Sequence, residues 1–279
     1  MPRIQKARRS AAQDLPSKSA GLAWWHLKHL LRVSLQDTCN FLQAWTHTRQ
    51  TESLHQARVA WRRQKCLLKF YKPLLPELPE RGKAALRYLW QLTGQLRNLD
   101  VALENTLPTW HQSHPNVGAN EWPALLQLLQ QDRLRARHAL AQEIAKPHVG
   151  AALQQLRNWN KRLKTAHLKL QDRPFRQWAK QRLQRLQKNI KNHRHARSPE
   201  RRHQGRILLK QERYALESLL TNRPDKKLRA QLRRVRKKQI AWGHDQDMQM
   251  VLNLIEGHEH CPKLAQAWRA SMGHLDSSQ

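Results

Sequence analysis

Two segments of the chain carry one histidine and three cations at the same spacing. On an α-helix, positions 0, 3, 7 and 10 fall within about 80° of one another, so each set would form a narrow rail along one face. Guanidinium and ammonium groups in such a row offer charge-assisted hydrogen bonds to a linear polyanion. Histidine adds positive charge as the pH falls toward its ordinary pKa of about 6.5. The two rails are His55, Arg58, Arg62 and Lys65, and His203, Arg206, Lys210 and Arg213.

The two rails belong to a longer internal repeat. The rail segments correspond at an offset of 148 residues, and segments 94–103 (GQLRNLDVAL) and 243–252 (GHDQDMQMVL) correspond at an offset of 149. Two matches in the same order at nearly one offset indicate duplicated helical units. Some apolar residues of the rail segments point away from the rails, and we expect them to face the core. They are Val59, Phe70, Ile207 and Leu216.

The net charge calls for a strongly anionic partner. The 279 residues include 52 Lys and Arg and 20 Asp and Glu, which gives a formal charge of +32. Segment 161–239 contains 27 of these cations and five of the acids, and therefore 22 of the excess charges. Such an excess destabilises an isolated fold, and a bound anion offsets that cost. Nucleic acid, inorganic polyphosphate and an anionic membrane face all satisfy this requirement.

Other residue types give no sign of catalysis or of a bound metal. The three cysteines, Cys39, Cys66 and Cys261, are too far apart for a disulfide framework or a zinc site, which is typical of a reducing cytoplasm. The run His258 to Cys261 is too contiguous to converge on one ion. There is no Gly-rich phosphate loop and no carboxylate constellation. We therefore predict no catalytic residue, no metal ligand and no cofactor, and we assign the 11 tryptophans to packing rather than to base stacking.

Apolar periodicity and proline-bearing junctions predict an all-α fold. Residues 1–20 are interpreted as a disordered basic leader, and 21–275 as one domain with repeats at about 21–170 and 171–275. No Gly- or Ser-rich linker separates the repeats, so we expect them to pack together. No apolar run reaches the roughly 18 residues of a membrane span. The predicted helices cover about 22–48, 52–75, 81–106, 122–145, 149–168, 174–191, 199–220, 224–255 and 262–272, with a polar loop at 108–120.

At the repeated motifs the chain resembles the CHAD domain, the conserved histidine α-helical domain. The resemblance lies in the patterns His55-x-x-Arg58-Val59-x-x-Arg62-Arg63-x-Lys65-x-x-Leu68, Arg97-Asn98-Leu99-Asp100 and His203-x-x-Arg206-Ile207-x-x-Lys210-x-x-Arg213. It implies two antiparallel helical bundles related by a pseudo-twofold axis, with a basic pore or groove that binds inorganic polyphosphate. It also adds Arg63 and Lys69 to the predicted ligand contacts. In the second repeat the position that corresponds to Lys69 is occupied by an acid, Glu217. Asp100 and Asp247 are interpreted as structural acids that pair with nearby cations, Asp100 with Arg97.

The leading functional prediction is a non-catalytic polyphosphate-binding protein of the cytoplasm, located at polyphosphate-containing granules. The first alternative is a basic protein associated with RNA or DNA, which would use the same rails for phosphate contacts. The second is an enzyme of polyphosphate turnover. Surface aromatics among the rails would favour the first alternative, and a pocketed pair of acids would favour the second. The oligomeric state is left open.

Overall fold

The computed structural model describes residues 22–163, 172–193, 198–222, 225–258 and 261–276, and within these ranges every regular element is helical. The all-α prediction is therefore confirmed. The predicted leader lies outside the described residues. The α-helices are α1 (Leu22–Thr48), α2 (Thr51–Tyr71), α3 (Glu80–Val101), α4 (Leu107–Ser113), α5 (Trp122–Ala145), α6 (Pro147–Arg162), α7 (Asp172–Lys191), α8 (Pro199–Asn222), α9 (Lys226–Glu256) and α10 (Pro262–Asp276).

Most helix boundaries agree with the sequence predictions. The prediction of a polar loop at 108–120 was wrong for the first half of that range, which is helical. A π-helical turn at Ala102–Thr106 leads directly into α4, which ends at Ser113. Pro108 lies in the first turn of α4, directly after the π-helical turn, so the chain stays helical on both sides of the proline. The proline therefore begins α4 and does not prevent it. At Pro73 the predicted continuation of α2 is instead a short 3₁₀ turn, Lys72–Leu74.

Three clusters of buried apolar side chains hold the helices together. One joins α1, α2 and α6 to α7, α8 and α9, and includes Phe70 and Leu216, both fully buried as predicted. A second joins the end of α3, α4 and α5 to α9 and α10, and a third lies among α1, α2, α3, α5 and α6. Because two clusters contain residues from both sides of position 170, the two predicted repeats share core, as expected. Ile207 was wrongly assigned to the core, since 38% of it is exposed.

The tryptophans take part in packing. All 11 lie within the described residues, and each is buried or half-buried. Trp45 and Trp268 are completely enclosed, and the rings of Trp61 and Trp90 stack 4.5 Å apart between α2 and α3. Within the described ranges, no helix combines the length and the apolar character that crossing a bilayer requires.

Candidate functional site

The two helices that carry the rails lie side by side and run in the same direction. The Tyr71 hydroxyl of α2 lies 2.8 Å from the Ser218 hydroxyl of α8. Arg63 likewise lies over the Tyr214 ring, and the charge of Arg62 acts on Lys210. The partners in these three pairs are 147, 151 and 148 positions apart, so both helices advance in the same direction and the rails are in register.

Lys210 lies where the two rails meet. It is half-buried, and burial together with the surrounding arginines lowers the pKa of its ammonium group to about 7. Asp247 of α9 acts in the opposite direction but does not restore the ordinary value. Near neutral pH a substantial fraction of these amines is therefore uncharged in the ligand-free protein. The three arginines, in order of effect, are Arg62, Arg206 and Arg58.

The Arg58 guanidinium is fixed against α3. Its Nη1 donates to the Thr93 hydroxyl at 2.9 Å and to the Trp90 carbonyl at 3.4 Å. A Cβ at Gly94 would lie 3.3 Å from the same nitrogen, so glycine leaves room for the close approach. Burial, followed by the charges of neighbouring arginines, lowers the Arg58 pKa to about 10. Arg58 is thus a largely preorganised cation.

The histidine of each rail lies near the helix that follows it, at corresponding positions. The His55 pKa is lowered by burial and then by Arg97 of α3. In the second rail, His203 Nδ1 lies 3.1 Å from Gln246 Oε1 of α9. The two histidines are 148 positions apart and their neighbours 149 apart, which are the offsets of the sequence repeat.

The prediction that Asp100 pairs with Arg97 was wrong, because Asp100 pairs with Arg133. Asp100 is only 1% exposed and accepts a hydrogen bond from Arg133 Nε of α5 at 2.7 Å, so the acid is structural as expected. Arg97 instead places its charge beside His55 and Arg58. It is a site residue that the sequence interpretation missed, although its place in the repeated segment was a usable signal. We call the following six residues the central cation cluster: His55, Arg58, Arg62, Arg97, Arg206 and Lys210.

Arg63 and Arg213 are used differently from the central cation cluster. Their guanidinium carbons lie 5.7 and 4.4 Å from the centre of the Tyr214 ring. Arg213 also donates to Gln239 at 3.1 Å, and its Nε lies 3.7 Å from a Glu217 carboxylate oxygen. The Arg63 contact with Tyr214 joins α2 to α8, and the Arg213 hydrogen bond to Gln239 joins α8 to α9. Both arginines therefore contribute more to the packing of the helices than the rail pattern predicts.

Lys65 and Lys69 extend the positive surface along α2. Both are exposed, and their charges act on the Cys66 thiol together with those of Arg62 and Lys210. Burial nevertheless raises the Cys66 pKa to about 11, so the thiol stays protonated at neutral pH. Among the described residues, no group of three His, Cys, Asp or Glu side chains could hold a metal ion.

A further cation, which no sequence pattern indicated, lies at the carboxyl end of α2. Arg182 of α7 donates from Nε to the Phe70 carbonyl at 2.9 Å and from Nη2 to the Lys69 carbonyl at 3.3 Å. The last carbonyls of a helix have no partner within the helix, and a cation there also interacts favourably with the helix dipole. Arg182 thus caps the helix that carries the first rail.

Comparison with known proteins identifies the family. No curated protein matches the chain. The crystal structure of the CHAD domain from the plant Ricinus communis is similar, with a TM-score of 0.74 and 27% identity, over 96% of this chain and 89% of that one. PptA from Streptomyces chartreusis shares the fold, with a TM-score of 0.68 and 20% identity, over 92% of this chain and 94% of that one. The CHAD domain profile matches residues 29–256, and its family is associated in general with polyphosphate binding. With most of its length matched, the chain belongs to the CHAD domain family.

Proposed function

We propose that this protein binds inorganic polyphosphate at the central cation cluster, as a non-catalytic accessory protein in the cytoplasm, at polyphosphate-containing granules. The observation that carries the proposal is the position of Lys210 between the two rails, where the charges of three arginines from two helices act on a half-buried ammonium group. Their mutual repulsion is a cost to the empty protein, and a dense anion removes it. The chain's membership of a family associated with polyphosphate supports this choice of anion.

The chemistry of the cluster suits a chain of phosphates. The oxygens of polyphosphate accept hydrogen bonds, and arginine forks and ammonium groups are their strongest donors. Nucleic acid would offer similar oxygens, but proteins that hold single strands also stack bases on aromatic side chains. All 11 tryptophans here are at least half-buried. A site that offers contacts to phosphate but no exposed tryptophan for base stacking therefore favours polyphosphate over nucleic acid.

We further propose that the chain is a duplicated helical unit, with repeats at about 21–170 and 171–275 and the basic groove between them. The corresponding neighbours of His55 and His203, which are Arg97 and Gln246, support this organisation. So does the packing of α2 beside α8, because corresponding positions of the two rails adjoin one another. A pseudo-twofold axis between these helices would produce this arrangement.

Competition binding at physiological salt tests the function. Labelled long-chain polyphosphate is displaced by unlabelled polyphosphate, single-stranded RNA or duplex DNA, at equal phosphate concentration. We expect polyphosphate to be the strongest competitor. If either nucleic acid wins by about tenfold or more, the chain is a nucleic-acid-binding protein that uses the same phosphate contacts. Release of orthophosphate or a shortened polymer during incubation would contradict the non-catalytic role.

A further inference from the structure

A second cationic groove lies among α7, α8 and α9. Its volume is about 560 Å³, and four basic side chains line it: Lys191 at the end of α7, and Lys227, Arg234 and Lys238 on α9. All four are exposed. At a rise of 1.5 Å per residue, the cations of α9 extend over about 16 Å, which is long enough to contact several phosphates of a linear chain.

Most of the basic residues of this groove have no acid beside them. Within the described part of the chain, no carboxylate lies within ion-pair distance of Lys191, Lys227 or Arg234. This differs from Arg236 on the same helix, which pairs with Glu217 at 3.0 Å. The edges of the groove therefore present a net positive charge to solvent.

The floor of the groove is built from packed side chains. Ile190 and Val235 belong to the buried core, and Glu212 is only 4% exposed. The Glu212 carboxylate accepts hydrogen bonds from Gln187 at 2.8 Å and from Gln231 at 3.2 Å, so it ties α8 to both neighbouring helices. Because its oxygen is engaged by these amides and Lys238 adds a positive charge nearby, this single acid does not neutralise the groove.

The groove is separate from the central cation cluster. Glu212 follows Lys210 by two residues, which is about 200° around the helix. The groove and the cluster thus lie on opposite sides of α8. None of the ten residues that line the groove belongs to the cluster.

We propose that this groove is a second binding site for a linear phosphate polyanion, and that it holds another segment of inorganic polyphosphate. The identity of the polyanion rests on the proposed function, whereas the site itself rests on the groove and its charges. None of the ten lining residues is aromatic, so the groove offers phosphate contacts and no platform for bases. A long polymer would gain affinity from two sites, while a short oligomer would occupy them independently.

The test compares two triple variants that remove the same charge from α9. The groove variant is K227Q/R234Q/K238Q, and the control is K226Q/R229Q/R233Q, whose residues are exposed and do not line the groove. Each is made in the full chain and again in a cluster variant, R58Q/R62Q/R206Q. Long-chain polyphosphate and tripolyphosphate are titrated calorimetrically at physiological salt, and circular dichroism verifies the fold.

In the cluster background we expect the groove variant to weaken residual polyphosphate binding by about tenfold and the control by about twofold or less. We also expect polyphosphate to slow amide exchange at the amino-terminal half of α9 in the cluster variant. Equal losses in both triple variants, or unchanged exchange, would overturn the second site. Failure of the proposed function gives a different result, since the cluster variant would then bind as tightly as the native chain. Preferential loss of RNA binding in the groove variant would contradict the assigned ligand.

Discussion

We expect Lys210 to couple the proposed polyanion binding to proton uptake. Its pKa is about 7 in the ligand-free protein, and a bound polyanion must raise that value because it favours the ammonium form. Above pH 7, binding therefore takes up a proton, and affinity should fall by up to about tenfold per pH unit until the pKa of the bound state is reached. The Lys210→Arg variant, which stays charged, should show a nearly flat profile from pH 7 to 9. Calorimetry in buffers of different ionisation enthalpy measures the uptake.

The exposed Lys65 provides the matched control for this prediction. Lys65→Arg should retain the native dependence of affinity on pH, because residue 65 does not lie where the two rails meet. A pH slope that survives in Lys210→Arg would assign the uptake to other groups.

The same lysine should make the empty protein sensitive to pH in the opposite sense. The folded-state pKa lies below the unfolded value of about 10.4, so the unfolded chain binds more protons between pH 7 and 10. Stability contributed by this group is therefore lowest below pH 7 and rises with pH. Lys210→Gln should raise the melting temperature most at pH 6 and least at pH 10. A uniform shift at every pH would show an effect of packing rather than of charge.

Gly94 leaves room for the Arg58 guanidinium. A methyl group there would lie 3.3 Å from Arg58 Nη1, so this nitrogen would have to shift by a few tenths of an ångström, which would disturb its bond to Thr93. We expect Gly94→Ala to weaken polyphosphate binding several-fold while α3 gains up to about 1 kcal/mol of helix propensity. In Gly150→Ala the new Cβ meets nothing within 4 Å, so this control should gain stability with unchanged affinity. Melting curves and titrations of the two variants measure these effects, and equal affinities would contradict the positioning role.

At the level of helices, the cap on α2 can be tested directly. Removing the Arg182 guanidinium leaves the Phe70 and Lys69 carbonyls without their donor, which should cost about 1 kcal/mol of stability. Arg182→Ala should also speed amide exchange in the last turn of α2. The neighbouring exposed Arg185 is the control, and its change to alanine should leave that turn protected. Equal exchange in both variants would show that α2 needs no cap from α7.

The helices themselves were largely predictable, because apolar periodicity and proline positions act within a few residues. α1 and α5 begin and end at the predicted positions. The pattern could not distinguish a proline that ends a helix from one that begins the next, and α4 was missed for this reason. The exposure of Ile207 was also unpredictable, since a residue beside a rail faces core only if a neighbouring helix covers it.

The composition of the site was less predictable than its location. The rails gave Arg58, Arg62, Arg206 and Lys210, because one helix fixes the spacing within each rail. The use of Arg213 depends on Gln239 of another helix, and no local pattern contains that information. The partner of Asp100 likewise comes from a helix about 30 residues away.

For the molecule as a whole, the high charge makes binding sensitive to salt. Each cation that replaces a condensed counterion adds nearly one unit to the slope of log affinity against log salt, if polyphosphate behaves as other polyanions do. The cluster variant R58Q/R62Q/R206Q should therefore have a slope smaller by about two to three units. It should also unfold at an equal or higher temperature without ligand, because like charges have been removed. Titrations at several salt concentrations and melting curves test both outcomes, and a slope equal to that of native protein would remove these arginines from the ligand site.

The parallel alignment of α2 and α8 also bears on the direction in which a ligand can enter. A strand of RNA has distinct 5′ and 3′ ends, whereas the two ends of a linear inorganic polyphosphate are chemically identical. A polymer that crosses from one rail to the other meets corresponding positions on both helices, whichever helix it reaches first. A ligand without polarity could then bind across α2 and α8 in either direction, so no collision would fail because the polymer was oriented the wrong way round.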